Sequence, residues 1–249
     1  MAIKTRMLLV TRHGNNKEDE LTPESPRAIY QNAGRDLENW ASRYQVNQDR
    51  AFLHTSGKNR TFHTGMAILA GAFHYDIPHS FQDVEALVNK MALRVIPNPQ
   101  LDFANIKFSE EKIKKIGLPK YLEAWIEHPD ATQIGEAEVT PFNDVVRTRG
   151  QYLVETLAQL FHPDYRNDLG VIATHSGVIE ALAISAVSQG KGNHLDTLRH
   201  IGGQFDRGDY FKIEIKGTED EPFKVGATLQ RGNHTRIIDL KEIIQTYRQ

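Results

Sequence analysis

The stretch "LLVTRHGNNKEDELT", Leu8 to Thr22, opens as a short apolar run and stops on Thr11, Arg12, His13 and Gly14. A run that is apolar on both faces reads as a strand of a parallel sheet, covered on each side. Filling a core does not require its end to carry a fixed cation, a titratable nucleophile and a residue without a Cβ. Two later stretches end in a similar way. "AFLHTSG", Ala51 to Gly57, delivers His54, Thr55 and Ser56, and Arg60 follows one helical turn on. "LGVIATHSG", Leu169 to Gly177, delivers Thr174, His175, Ser176 and Gly177.

Between these strands the pattern is helical. Ile29, Ala33, Leu37, Trp40 and Ala41 have helical spacing, and Pro26 suits a first turn. Further helices are expected through "NRTFHTGMAILAGAF", through "SEEKIKKIGLPKYLEAWIEH" with a break at Gly117 and Pro119, through "EVTPFNDVVRTRGQYLVETLAQLF", and through "VIEALAISAVS". Ala92 to Ile96 reads as a weak strand, "YFKIEI" and "FKVGATL" as an antiparallel hairpin, and Leu240 to Tyr247 as a terminal amphipathic helix. Alternating strands and helices predict an α/β fold, a three-layer sandwich around a mostly parallel central sheet, over 1–249 as a single domain. Ligands of such sheets bind at the carboxyl ends of the strands. If the strands are parallel, two histidines and two arginines converge on one cavity.

That set suits a phosphoryl group. Guanidinium forks match phosphate oxygens and keep their charge. An imidazole nitrogen can attack phosphorus, a second imidazole can donate to the oxygens where charge accumulates, and nearby cations favour the neutral, nucleophilic imidazole. Gly14 and Gly177 are expected to bring backbone N–H groups close to the anion.

Composition narrows the partners. The 249 residues carry 30 Lys+Arg against 32 Asp+Glu, a net charge of −2, which gives no global reason to expect nucleic acid or an anionic membrane. There is no cysteine, so disulfides, thiolate catalysis and Cys-ligated zinc are excluded. The start does not read as a signal peptide and no run is long enough for a membrane helix, so a cytoplasmic location is expected. His54, His63, His74 and His79 lack ligand spacing on a common face, so no metal and no cofactor is expected. The partner expected is a small phosphate ester or inorganic phosphate; homodimerisation is left open.

In order along the chain, these motifs resemble the histidine phosphatase superfamily, the phosphoglycerate mutase-like proteins. "TRHG" matches the signature whose histidine is phosphorylated and whose arginine binds phosphate. "LTPESPRAIYQNAGRDL" looks like the family's first helix, with Ser25 where a glycine is usual. "SGKNRTFHTG" resembles the segment carrying the second arginine, and "VIATHSGVIEAL" the strand and second histidine. "IGEAEVTPFNDVVRTR" is similar to a further family segment, with Ala137 in place of a serine. The resemblance runs from about residue 7 to 190.

It implies a phosphomonoesterase acting through a phosphohistidine on His13, with Arg12, Arg60 and His175 binding the phosphate, and an acid to protonate the leaving oxygen. Asn16, beside them in the sequence, reads either as a further phosphate contact or as a turn residue. "PQLDFANI" is the nearest segment to the one that supplies the acid. Asp102 falls about one position from the family's glutamate, with Glu85, Glu110 and Glu111 as rivals. The stretch from about 103 to 134 is expected to form a helical insert over the pocket, where Lys107, Tyr121 and Trp125 are candidate substrate contacts. Two other functions are open: a cofactor-dependent phosphoglycerate mutase, against which the acids of "RHGNNKED" argue, and a non-catalytic phosphate-binding regulatory domain. Ser56 reads equally as a pocket residue or as the N-cap of the following helix.

Overall fold

A computed structural model describes residues 4–17, 19–102, 106–161, 167–218 and 226–248. Seven strands form the central sheet: β1 (Lys4–Arg12), β2 (Ala51–Thr55), β3 (Arg94–Pro97), β4 (Leu169–Thr174), β5 (Tyr210–Gly217), β6 (Gly226–Arg231) and β7 (His234–Ile238), in the order β7-β6-β5-β1-β4-β2-β3. β1, β4, β2 and β3 pair in parallel; β5, β6 and β7 continue the sheet antiparallel. β5 and β6 bear out the expected hairpin, although Phe223 to Val225 of the quoted stretch lie outside the described residues.

The apolar runs are buried on both faces because helices cover both. Along β1, Met7 and Leu9 enter one core, while Leu8 and Val10 enter the other. The first core lies under α1 (Ser25–Ile29), α2 (Arg35–Tyr44), α3 (Asn59–Ala72) and α4 (Phe81–Met91). The second lies under α7 (Phe142–Leu160), α8 (Val178–Ser188), α9 (His194–His200) and α10 (Leu240–Tyr247). Register ties the layers together: Leu9, Val171 and Leu53 lie side by side across three strands.

All five apolar residues spaced as a helix after the first loop are buried, but α1 and α2 are joined by a π-helical turn, Tyr30–Gly34. There Gly34 meets Gly71 of α3 so closely that a Cβ on Gly71 would lie 2.7 Å from the Gly34 Cα. The weak strand begins at Arg94 rather than Ala92, because α4 runs to Met91 and Ala92 closes it in the left-handed conformation. The long helix starts at Phe142, after Pro141; Ala137–Glu138 instead pairs with Gln133–Ile134 in a small ribbon.

The insert holds α5 (Glu110–Ile116) and α6 (Leu118–Glu127), separated at Gly117 as the sequence indicates. Gly117 has φ +83°, a conformation that L side chains rarely adopt. Residues 103–105, at the start of the expected insert, lie outside the described set. Among the described residues no helix is long and apolar enough to cross a membrane.

Candidate active site

The sheet register brings the three strand ends together. Arg12 stands opposite Thr174, and both Thr11 and Thr55 stand opposite Ala173, so His13, His175 and Ser56 emerge at one edge. The His13 N–H donates to the Thr174 carbonyl at 2.9 Å, which extends the ladder by one step. The two imidazoles meet edge to face, with ring centroids 5.1 Å apart.

His13 is buried, and its Nδ1 lies 2.8 Å from the Gly14 carbonyl. A carbonyl only accepts, so Nδ1 carries the proton and Nε2 keeps its lone pair. Burial pushes the His13 pKa down to about 4; Arg60, Arg12 and Arg207 press in the same direction, and the Gly14 hydrogen bond opposes them. The ring is therefore neutral at neutral pH. His175 is held lower still, to about 2, by burial first and then by His13, Arg60, Lys58 and Arg12.

The His175 Nε2 lies 2.8 Å from Ser56 Oγ, which lies 3.0 Å from Thr61 Oγ1, which donates to the Lys58 carbonyl at 2.8 Å. Thr61 has thus given its hydrogen away and accepts from Ser56, so Ser56 must accept from His175 Nε2–H. Ser56 is neither part of the cavity wall nor the N-cap: it supports His175 from behind, and the N-cap position of α3 is Lys58.

Arg12 is set from behind. Its Nη1 donates to the Phe205 carbonyl at 2.6 Å, and the Phe205 N–H donates to Glu180 Oε1 at 3.1 Å. Glu180 is fully buried and also accepts from the Gly177 N–H through Oε2. Burial raises the Glu180 pKa, while these N–H groups and Arg12 favour its charged form. The same burial lowers the Arg12 pKa. Arg12 Nε and Ser176 Oγ are buried with no hydrogen-bond partner among the described residues.

The glycines act differently from the expectation. The Gly177 N–H is held by Glu180, and the Gly14 N–H donates to Thr64 Oγ1 at 3.2 Å, so neither N–H is directed at a bound anion. Gly14 is required by packing, since a Cβ there would fall 2.0 Å from Ser25 Oγ, and Gly177 by its φ of +78°.

A cavity of about 380 Å³ joins these groups. Its floor carries Arg12, His13, Asn16, Arg60, His175 and Ser176. Five of these were expected from sequence; Ser176 was not singled out, and neither was Arg207, which reaches the cavity from the loop before β5. Arg60 Nη1 also lies 3.4 Å from Asp19 Oδ1, in the acidic run after the first histidine; Glu18 of that run lies outside the described residues.

Of the candidate acids, Asp102 lies beside the site. Its Oδ1 is 3.6 Å from His175 Nε2 and its Oδ2 3.5 Å from Lys58 Nζ. Its segment is anchored by Thr174 Oγ1 on the Leu101 carbonyl at 2.8 Å and by Arg149 Nη2 on the Asp102 carbonyl at 3.4 Å. Glu110 lines the cavity from α5, whereas Glu85 is exposed on α4 and Glu111 is not part of the cavity wall. Tyr121 and Trp125 line the cavity, but Lys107 pairs with Glu138 at 2.9 Å on the surface. His54 is held by Tyr152 and Gln159 and His63 by the Pro78 carbonyl, so both imidazoles serve the core.

No family model and no curated protein sequence matches the chain. Solved structures do. Mycobacterial hydrolase 2 superposes with a TM-score of 0.53 at 14% identity, covering 98% of this chain and 97% of that one. The mycobacterial glucosyl-3-phosphoglycerate phosphatase superposes with a TM-score of 0.51 at 15% identity, covering 93% and 96%. A complex of that phosphatase with inorganic phosphate superposes with a TM-score of 0.50 at 16% identity, over 84% and 89%. At this identity the likeness establishes the fold alone, a mostly parallel sheet between two layers of helices.

Proposed function

We propose that the chain is a phosphomonoesterase that works through a phosphohistidine on His13. The observation that carries this reading is the neutral His13 imidazole, its Nε2 lone pair unengaged by the Gly14 hydrogen bond, in a cavity shared with Arg12, Arg60 and His175. The fold is shared with a phosphatase that has been seen with inorganic phosphate.

In the proposed reaction the ester's phosphoryl group sits among Arg12, Arg60 and Asn16, with Arg207 at the mouth and His175 beside it. The neutral His175 gives its one N–H to Ser56, so the arginines carry the hydrogen bonds to the phosphate oxygens. His13 Nε2 forms a bond to phosphorus as the bond to the ester oxygen breaks. A carboxylic acid gives its proton to the departing alkoxide. Water then attacks the phosphohistidine and passes a proton to that carboxylate; phosphate leaves and His13 is restored. Arginines spread over the oxygens stabilise the charge of the transferring group without reorganising at the moment of reaction.

Asp102 is the acid in this scheme because it lies against His175 on an anchored segment. Glu110 is the second reading, favoured by its place in the cavity wall. The mutase alternative is disfavoured by Asp19, which sits on Arg60 where a carboxylated substrate would need open positive charge.

A brief incubation with labelled ester and an alkaline quench should leave an acid-labile phosphoryl group on His13, and His13→Ala should reduce turnover below detection. An unlabelled protein that still turns over would remove the phosphohistidine from the scheme. Asp102→Asn should slow an alkyl phosphate about 10²–10⁴-fold while sparing p-nitrophenyl phosphate, whose leaving group needs no proton. The same pattern in Glu110→Gln instead would move the acid to the insert.

A further inference from the structure

The cavity has two unlike halves. Its floor, from the strand ends and α3, is cationic and hydrogen-bonding. Its roof comes from the insert, where Phe108, Ile113, Leu118, Tyr121, Leu122 and Trp125 line it. The polar atoms of the two aromatic anchors are engaged elsewhere: the Ser109 N–H donates to the Tyr121 hydroxyl at 3.1 Å, and the Trp125 indole N–H donates to the Thr140 carbonyl at 2.8 Å. These bonds hold the insert in shape and leave carbon facing the cavity. The charged groups of the upper half, Glu110, Lys114 and Arg207, are all exposed at its rim.

We infer that this site takes phosphomonoesters of compact apolar alcohols, aryl or arylalkyl, in preference to sugar phosphates; the inference rests on the phosphomonoesterase reading above. A sugar placed under the roof would lose water from its hydroxyls and find carbon in return, which is costly. A ring placed there gains apolar burial and edge or face contact with Trp125 and Phe108. Size acts in the same direction. About 380 Å³ is near the lower end of ligand pockets, and the phosphoryl group takes part of it.

The test compares 2-phenylethyl phosphate with glucose 6-phosphate. Both are esters of primary alcohols, so the leaving groups need a proton to a similar degree and the difference reads the pocket. With the full chain, kcat/KM should favour 2-phenylethyl phosphate by about 10–200-fold, the range over which apolar pockets discriminate. Ile113→Gln and Leu118→Gln, on the half-buried face of the insert, should each reduce that ratio several-fold, with thermal melts confirming that the variants fold. Calorimetric binding of 2-phenylethylphosphonate against methylphosphonate to the unaltered protein gives a second reading free of catalysis and of variant folding, and the larger phosphonate should bind more tightly. Equal kcat/KM values, or a ratio that both variants leave unchanged, overturn the apolar-alcohol inference and leave the phosphatase reading standing. No phosphate release from either ester, with the phosphonate preference intact, overturns catalysis and supports the apolar pocket. No release and no phosphonate preference overturn both.

Discussion

In the proposed mechanism His13 combines two constraints that ordinarily conflict, burial and reactivity. The Gly14 carbonyl fixes the proton on Nδ1, and burial with three arginines nearby keeps Nε2 unprotonated far below the usual histidine range. For a nucleophile that must be neutral, the acid limb of kcat/KM in the free enzyme should lie near His13's folded pKa of about 4, not near 6.5. Measured between pH 3.5 and 8, activity should stay level down to roughly pH 5 and fall below it as the imidazole protonates. A limb near pH 6.5 would mean that His13 is not the group titrating, or that it is far more hydrated than its surroundings indicate. His13, Arg12, Arg60 and His175 were legible in the sequence because each sits at or one turn beyond an apolar strand, where topology dictates the direction of the chain. Arg207 and Ser176 were not. Arg207 lies in a loop 32 positions beyond His175 and carries no motif, and Ser176 is distinguished only by a hydroxyl without a hydrogen-bond partner among the described residues.

At the scale of elements, the start of α8 and the Phe205 loop act as one support. Glu180 receives N–H groups from Gly177 and Phe205, and the Phe205 carbonyl holds Arg12. Glu180→Gln keeps the shape but turns an amide N–H₂ toward one of two N–H donors, which costs about 1–3 kcal/mol in a buried site. The loop should shift and Arg12 with it. KM for the ester and Ki for inorganic phosphate should rise together by about tenfold, the equivalent of roughly 1.4 kcal/mol, with a smaller change in kcat. A loss of thermal stability with both constants unchanged would confine Glu180 to a structural role. The helices with strong apolar spacing were readable; α4 and α9 were passed over although local signals were present. Ser80 and Asp83 form a reciprocal cap at α4, and Asn193 caps α9. β7 was hidden for a different reason. Its residues His234 to Ile237 are exposed, so it has no buried face to produce alternation, and only the turn around Gly232 and its pairing with β6 mark it.

For the molecule as a whole, the buried histidines should set its acid limit. His13 and His54 have folded pKa values of about 4 and His175 of about 2, against an ordinary value of 6.5. Below pH 6.5 the unfolded chain binds protons that the folded chain refuses, so stability is complete above pH 6.5 and is lost as pH falls toward 4. Denaturant melts between pH 7.5 and 4.5 should show this decline, and His54→Gln, remote from the cavity, should flatten it while lowering stability at pH 7.5. A decline equally steep in that variant would place the acid sensitivity in other groups. The architecture that buries these rings was legible from the alternation of strands and helices alone. The insert's packing was not, since the contacts of Tyr121 and Trp125 depend on backbone groups of Ser109 and Thr140 that no periodicity reveals.

The line of hydroxyls behind His175 has a final consequence. A serine 2.8 Å from a histidine, with an aspartate nearby, has the composition of a hydrolase that attacks through oxygen. Direction forbids it here. The line ends on a carbonyl of the main chain, which cannot reverse its polarity, so every hydrogen in it points away from the imidazole. Ser56 hands its hydrogen outward and has none to surrender to His175. Asp102 approaches the same imidazole nitrogen as Ser56, so it cannot steady the ring from the opposite side. Thr61, the third residue of α3, thus denies Ser56 the part of an oxygen nucleophile, in keeping with the attack by nitrogen proposed above.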